Sequence, residues 1–201
     1  FGSCIILYEG SPFYPNEDSL LKTMDSINLT IFGTSAKYIS YLQTNNIVPK
    51  DIGIFKSLRL ILSTGSPLED SSFDFVYNYW KDDVQLSSIS GGTDIISCFA
   101  LGNPNLPVYR GELQCLGLGM SVKSYDKKGN HNFLQKGELI CDKAFPSMPI
   151  YFWGDKGNKK YLNAYFSDFN NKWKHGDFIL INYNYGVKIF GRSDSTLNPG
   201  G

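Results

Sequence analysis

Hydrophobic and polar positions follow two different rhythms along this chain of 201 residues. Up to about residue 100, short apolar runs alternate with stretches in which apolar residues recur about every three to four positions, the repeat of an α-helix. After residue 100 the helical repeat fades, and turn residues separate short strand-like segments at intervals of roughly eight to twelve residues. The pattern predicts an α/β fold, in which a partial parallel sheet with flanking helices precedes a distorted antiparallel β-barrel or sandwich.

The first part is predicted to alternate strands with helices. Strand-like runs cover residues 3–8, 29–32, 58–63 and 84–89. Thr34 or Ser35 is placed to cap the second helix, and Pro67 to begin the third. The apolar faces of the three helices, in chain order, are Leu20, Leu21, Met24 and Ile27; Tyr38, Ile39 and Leu42; and Phe73, Val76, Tyr77 and Trp80.

The second part is predicted to be built from strands joined by turns. Strands are expected in GELQCLGL, MSVKSY and GELICD, with a turn at YDKKGN. The segment KGNKK, 156–160, is expected to be an exposed turn. No helix is predicted beyond residue 100.

A hairpin is predicted near the end of the chain, with apolar arms at 178–181 and 187–190. If Asn184 and Tyr185 form a two-residue loop, Asp177 lies opposite Arg192. The pair is consistent with an exposed salt bridge of little energetic value, well under about 1 kcal/mol. The alternative, which the residues alone favour less, is a carboxylate that is kept ionised by a cation and accepts hydrogen bonds from two ribose hydroxyls. His175, just before this pair, either lines a site or is structural.

Two loops follow predicted strands directly, namely STGSPL at 63–68 and SGGTD at 90–94. In open parallel sheets, ligands bind beyond the carboxyl ends of the strands. Small residues in these loops let backbone amides approach a ligand, and Thr93 and Asp94 add a hydroxyl and a carboxylate. Such a pair can hold a phosphate oxygen and its Mg²⁺. Glycine-rich turns of this kind are also common as plain connections between elements.

Composition narrows the function classes. The 19 basic and 19 acidic residues give a net charge of zero, which argues against a general nucleic-acid binder or a membrane-surface domain. No apolar run approaches the roughly 20 residues of a membrane helix. The four cysteines are widely spaced and there are only two histidines, so free thiols in a reducing compartment, the cytosol, are expected rather than a zinc site. No G-x-x-x-x-G-K-[ST] phosphate loop occurs.

The order of these segments resembles that of the core motifs of the adenylate-forming acyl-CoA synthetases. The motifs STGSPL, SGGTD, GELIC, HGD and GRSD follow one another over essentially the whole chain. Segments such as ISGGTDIISCF and GRSDSTLNPGG are most similar to the branch that activates acetoacetate. Together with the pattern, the resemblance implies an α/β subdomain at 1–100, a β-rich subdomain at 101–190 and a hinge segment at 191–201. That segment would lead to a carboxy-terminal domain beyond this chain.

The resemblance also implies roles for individual residues. The predicted nucleotide-binding residues are Gly65, Ser66 and Pro67 along the adenine, Thr93 at the α-phosphate, and Asp177 and Arg192 at the ribose. Thr93 and Asp94 are the predicted catalytic residues, and Asp94 is the predicted Mg²⁺ ligand. Because Asp94 is one methylene shorter than the glutamate commonest in the superfamily, a water could bridge it to the metal. Asp194 is the predicted hinge, and Gly200 and Gly201 lie where coenzyme A would bind.

One position bears on the acid that is activated. Members of the family that act on acetate place a tryptophan two residues before the phosphate-binding threonine, and this chain has Gly91 there. Removing an indole frees space for several heavy atoms, enough for acetoacetate and also for butyrate. Gly91 and Gly92 are therefore the predicted substrate-binding residues.

The resemblance implies a fragment of an ATP-dependent ligase that converts acetoacetate to acetoacetyl-adenylate and then transfers the acyl group to coenzyme A. The phosphate loop, the first part of the large domain and the carboxy-terminal lysine of such enzymes are missing from these 201 residues. We therefore expect the isolated chain to bind nucleotide weakly and not to turn over. Two alternatives stay open: a non-enzymatic remnant that binds adenine nucleotide or a partner protein, and a ligase for acetate, propionate or butyrate.

Overall fold

A three-stranded parallel sheet organises the first part of the protein. The structure, a computed structural model, describes residues 2–194. The strands β1, β2 and β3 pair in chain order, so their carboxyl ends meet at one edge. The strands are β1 (Ile31–Ser35), β2 (Leu60–Thr64) and β3 (Gln85–Ser88), and the helices are α1 (Ser19–Ser26), α2 (Ala36–Thr44) and α3 (Asp70–Tyr79). The predicted alternation of strand and helix is confirmed.

The helices pack against this sheet through one hydrophobic core. Ile39 and Leu42 of α2, Val76 of α3 and Ile61 of β2 are fully buried in it. Most of the residues chosen by helical spacing are buried, but Ile27 follows α1 and is 40% exposed. Burial of a large aliphatic side chain stabilises the fold by roughly 1.5–3 kcal/mol. The apolar periodicity thus identified the faces on which the core depends.

The second part consists of two antiparallel sheets. The five-stranded sheet has the order β11-β10-β9-β7-β8, and the three-stranded sheet has the order β4-β5-β6. The strands are β4 (Ser90–Gly92), β5 (Ser97–Leu101), β6 (Cys115–Leu116), β7 (Val122–Tyr125), β8 (His131–Asn132), β9 (Gly137–Cys141), β10 (Trp173–Ile181) and β11 (Val187–Arg192). A second core, which includes Phe99, Leu139 and Trp173, contains residues from both sheets. The predicted change from parallel to antiparallel strands is confirmed, but residues 2–194 form no closed barrel.

Two local predictions were wrong. Residues 3–8 form no strand, and Ile5 and Leu7 are more than four-fifths exposed, because no strand within residues 2–194 pairs with this run. The segment 156–160 is a short 3₁₀ turn that continues into the helix α4 (Lys159–Tyr165). Tyr161 is the one buried residue of this seven-residue helix. Its sequence therefore has no apolar repeat from which a helix could be predicted.

Neighbouring boundaries also shift by a few residues. Helix α3 begins at Asp70 after Glu69 as its N-cap, so Pro67 stays in the loop that follows β2. The turn at YDKKGN is confirmed, since Asp126 and Asn130 pair through their backbones around Gly129. Every helix within residues 2–194 is too short or too polar to cross a lipid bilayer.

We expect Ser35→Ala to lower the free energy of unfolding by about 1 kcal/mol, because the Ser35 hydroxyl accepts a hydrogen bond from the Tyr38 amide at the start of α2. Ser40→Ala, on the exposed side of the same helix, is the control and should be neutral or slightly stabilising. Urea denaturation of both variants measures the difference. Equal losses in the two variants would contradict the capping role.

Candidate functional site

Loops from the parallel sheet and the β10–β11 hairpin enclose a cleft of about 580 Å³. The loop after β2 forms one wall, and the chain from the end of β3 to the start of the next 3₁₀ turn forms another. These loops meet because parallel strands end at the same edge of a sheet. The residues of the predicted site that line the cleft are Gly65, Ser66, Pro67, Gly91, Gly92, Thr93, Asp177 and Arg192. Gly200 and Gly201 lie outside the described residues.

Asp177 and Arg192 pair across the hairpin as predicted, but for a different reason. The loop is longer than expected: Asn182 pairs with Gly186, and Tyr185 has a left-handed backbone. This shifts the register of the arms by one residue, so that Ile179 faces Ile189. A bulge in the pairing restores the opposition of Asp177 and Arg192, and Gly191 in β11 takes the positive φ of 95° that suits such a bulge.

The Asp177 carboxylate is buried at the bottom of the cleft, with its side chain only 12% exposed. Its Oδ1 lies 3.6 Å from Nη1 of Arg192, and its Oδ2 lies 3.7 Å from Nε2 of His175. Burial raises the pKa of Asp177 above its ordinary value, while His175 and Arg192 oppose the rise. The two carboxylate oxygens of Asp177 are therefore hydrogen-bond acceptors that are largely shielded from water.

Arg192 is shared between two carboxylates. Its Nε lies 2.8 Å from Oδ1 of Asp194, its Nη2 contacts the other oxygen of the same group, and this fork lowers the pKa of Asp194. The arrangement needs a glycine at Gly176, where φ is 85° and a Cβ would lie 2.7 Å from Nη2 of Arg192. Asp194, the predicted hinge residue, does not line the cleft but holds the arginine that does.

The sequence does not decide whether His175 lines a site or is structural. In the structure its ring lies beside Asp177, within the site. Its ring is buried against Phe99, with the ring centroids 4.7 Å apart. Nε2 lies 3.2 Å from the Gly91 carbonyl oxygen, and Trp173 Nε1 lies 3.5 Å from Nδ1. Burial lowers the pKa of His175. The only sequence signal for this position was its place in HGD.

Asp94 faces a second, smaller cavity of about 250 Å³ instead of the main cleft. It accepts a hydrogen bond from the hydroxyl of Tyr165, whose ring stacks on Trp173 with the centroids 3.5 Å apart. Burial and the Asp94 carboxylate together raise the pKa of Tyr165. Sequence reasoning missed Tyr165 because it missed helix α4. Gly91, Gly92 and Thr93 line both cavities, so this short segment separates them.

Asp94 can supply one ligand to a metal ion. Across residues 2–194, no three His, Cys, Asp or Glu side chains lie close enough together to hold a metal ion. Mg²⁺ typically takes one or two carboxylates and completes its octahedron with phosphate oxygens and waters. The residues present therefore fit a metal that arrives with a phosphorylated ligand, and they do not fit a site made by protein side chains alone.

Gly91 and Gly92 are constrained in different ways. A Cβ on Gly91 would lie 2.0 Å from the carbonyl oxygen of Ser97 in the neighbouring strand, so no side chain fits without backbone movement. A Cβ on Gly92 would lie 3.1 Å from Cε1 of His175, a contact that a small adjustment relieves. Gly91 therefore permits close approach of β4 and β5.

The chain is similar throughout to acetoacetyl-CoA synthetases. It is 50% identical over 200 residues to the acetoacetyl-coenzyme A synthetase of Rhizobium meliloti (strain 1021), and 45% identical over 201 residues to the acetoacetyl-CoA synthetase of Gallus gallus. Both alignments cover 100% of this chain but only 31% and 30% of the relatives. The chain thus spans less than a third of the length of the curated relatives it matches. No family model matches it.

Solved structures agree with this relationship. The acetoacetyl-CoA synthetase from Streptomyces lividans superposes with a TM-score of 0.86 at 38% identity, over 96% of this chain and 30% of that one. The anthranilate CoA ligase AuaEII in complex with anthranoyl-AMP gives a TM-score of 0.78 at 18% identity, over 96% of this chain and 35% of that one. The second match establishes similarity of fold alone. The predicted relationship to a segment of a longer ligase is confirmed.

We expect Gly91→Ala to lower the free energy of unfolding by about 1–3 kcal/mol, the usual cost of forcing atoms into a packed site, because the new Cβ meets the Ser97 carbonyl. Gly92→Ala is the matched control in the adjacent position and should cost clearly less, since only a side chain must move. Urea denaturation of the two variants tests the order. A smaller loss for Gly91→Ala would contradict it.

We expect Asp177→Asn to raise the free energy of unfolding at pH 7. With the pKa of Asp177 raised by burial, its contribution to stability is fully present below the unfolded-state pKa and is lost as pH rises through the folded-state pKa. The gain should therefore vanish on acidification. Asp168→Asn is a control of opposite sign, because the hydrogen bond from Lys174 lowers the pKa of Asp168. That variant should be slightly less stable at pH 7, again with no difference in acid.

Denaturation curves of the wild type and both variants at neutral and acid pH measure these differences. A loss of stability in Asp177→Asn at pH 7 would show that its ionic contacts outweigh the cost of burial, against our expectation.

Proposed function

We propose that this chain, a homologue of one segment of acetoacetyl-CoA synthetases, forms the nucleotide- and acyl-binding part of an AMP-forming acetoacetate–CoA ligase. The observation that carries the proposal is the convergence of four separate chain segments on one cleft. Gly65, Ser66 and Pro67 come from one segment, Thr93 from the next, and Asp177 and Arg192 from the two arms of the hairpin. A cleft of about 580 Å³ is of the size that holds small ligands.

We assign a task to each group. The buried Asp177 carboxylate accepts hydrogen bonds from both ribose hydroxyls, and the charge of Arg192 beside it favours its ionised form. The Thr93 hydroxyl, at the rim of the same cleft, donates to an oxygen of the α-phosphate. The loop of Gly65, Ser66 and Pro67 packs along the adenine, and the positive φ of 88° at Gly65 turns the backbone there.

The reaction consists of two displacements. In the first, a carboxylate oxygen of acetoacetate attacks the α-phosphorus of ATP, and the bond to pyrophosphate breaks to give acetoacetyl-adenylate. In the second, the thiol of coenzyme A loses its proton and attacks the acyl carbon, and AMP leaves. Electrostatic stabilisation of the charge that develops at phosphorus is the main contribution a site of this kind makes. Mg²⁺, with Asp94 as its one protein ligand, would supply part of it.

The remaining assignments belong to the same proposal. Asp194 is assigned as the hinge within the segment 191–201, and Gly200 and Gly201 are assigned to coenzyme A binding. The α/β and β-rich subdomains are proposed at 1–100 and 101–190. Two separate cores, spanning 20–86 and 95–187, support a division into two parts, but the second core begins before residue 100 because β4 and β5 belong to the antiparallel part. The four free cysteines agree with a reducing compartment, and we place the protein in the cytosol.

We propose acetoacetate as the substrate, in preference to acetate, propionate or butyrate, for two reasons. The names of the relatives specify acetoacetate. Gly91 also lines the cleft, and the backbone of Ser97 leaves no room for a side chain at this position. The same end of the cleft is lined by Cys98, a small, half-buried side chain.

A segment exchange tests the proposal. We expect a chimera of the Rhizobium meliloti enzyme, with its matching segment replaced by this chain, to form acetoacetyl-CoA from ATP, acetoacetate and coenzyme A. Asp177→Asn in the chimera should lower kcat/KM at least tenfold, since the hydrogen bonds to the ribose are weakened. Asp168→Asn, an exposed carboxylate outside the cleft, should leave it unchanged.

Two results would contradict the proposal. A chimera that folds but adenylates no acid would show that this chain has lost the chemistry and would favour the nucleotide-binding remnant. A chimera that prefers acetate to acetoacetate would refute the role given to Gly91.

A further inference from the structure

We infer that His175 is a positioning residue, a neutral imidazole protonated on Nε2 that ties the Gly91 carbonyl to the Asp177 carboxylate. The inference rests on the proposed function in one respect: Gly91 marks the acyl side of the cleft and Asp177 the ribose side. One ring thereby sets the distance between the two halves of the acyl-adenylate site. This role is separate from the contacts that the cleft residues make with a ligand.

The tautomer follows from the neighbours of the two ring nitrogens. The indole N–H of Trp173 lies 3.5 Å from Nδ1 and can only donate, so Nδ1 must accept. The proton is then on Nε2, which lies 3.2 Å from the Gly91 oxygen and donates to it. The same nitrogen lies 3.7 Å from Oδ2 of Asp177, close enough for electrostatic attraction. A carbonyl and a carboxylate, both acceptors, converge on one N–H.

The surroundings select the neutral form. A second proton would place an N–H on Nδ1 directly against the indole N–H, two donors facing each other. Burial is the largest influence on the ring and lowers its pKa, and Arg192 acts in the same direction. The carboxylates of Asp177 and Asp194 and the contact with Gly91 act the other way. Phe99 packs edge-on against the ring and adds no charge.

The segment that His175 holds has little else to fix it. Strand β4 has three residues and a register irregularity between Ser90 and Gly91. Gly91 and Gly92 have no side chains with which to pack. They are held by the ladder to β5, by the hydrogen bond from the Ile96 amide to the Gly92 carbonyl, and by the imidazole. A Cβ on Gly92 would lie 3.1 Å from Cε1 of His175, so the glycine leaves room for the imidazole in its observed position. Thr93, the predicted phosphate ligand, follows immediately.

The first experiment needs no substitution. The chain has only two histidines, and His131 is exposed on β8, so it serves as an internal reference. Long-range ¹H–¹⁵N correlation spectra of the histidine-labelled chain, recorded from pH 5 to 8, report the tautomer and the charge of each ring. We expect His175 to be neutral with its proton on Nε2 at pH 7, and to take up a second proton only below the ordinary range of histidine. A proton on Nδ1, or a charged ring at pH 7, would overturn the inference.

The second experiment compares two substitutions. In His175→Gln the amide nitrogen can still donate to the Gly91 carbonyl, whereas His175→Phe keeps a ring and loses the donor. We expect AMP to bind about tenfold more weakly to His175→Phe, the loss that corresponds to one buried hydrogen bond, and within about threefold of wild type to His175→Gln. Calorimetric titration with AMP measures both, and His131→Gln is the control.

The outcomes separate the two proposals. Equal affinity of wild type and His175→Phe would overturn the positioning role. Failure of the chimera that carries the wild-type segment to bind AMP at millimolar concentration would count against the proposed function, while the tautomer would still decide whether the bridge exists. If His175→Phe does not fold, the wild-type spectra and the glutamine variant decide the matter.

Discussion

A buried carboxylate at the end of a β-ribbon is the constraint around which this site is organised. Asp177 is withdrawn from water, and its ionised form is maintained by Arg192 on the facing strand and by the N–H of His175 two residues earlier. Because removal of a charge from water is costly unless the charge is paired, the groups around it cannot be chosen independently. The positions of the arginine, the imidazole and the Asp194 fork follow from that one requirement.

Glycine makes this crowding of polar groups feasible. Gly176 and Gly191 adopt positive φ angles that bend the two arms of the hairpin at the level of the Asp177–Arg192 pair. Gly91 lets β5 approach closely to β4, which lines the cleft. Because these glycines have no side chain, the backbone can bend or approach closely there, and the polar groups lie near one another. The hydrophobic side chains pack separately, in the two cores.

Sequence reasoning recovered the framework because the framework obeys simple periodicities. Ile39, Leu42 and Val76 recur at helical spacing and are buried, and the change to antiparallel strands is visible in the turn residues. Asp177 and Arg192 were paired correctly, although through a register that the bulge at Gly191 had to correct. Such a bulge has no reliable signature in a single sequence.

Other parts of the site left no local signal. The contact of Tyr165 with Asp94 joins residues 71 positions apart and depends on a seven-residue helix without an apolar repeat. The neighbours of His175 come from β4, β5 and β10, and no spacing rule connects them. Interactions of this kind are fixed by tertiary packing, so they are visible only when the fold is known.

The close approach of Ser97 to Gly91 also has an evolutionary consequence. A larger residue at this position would have to be preceded by a displacement of the neighbouring strand, since the first carbon of any side chain already collides with its backbone. Substitutions at this glycine are therefore epistatic: they become accessible only after permissive substitutions have separated the two strands.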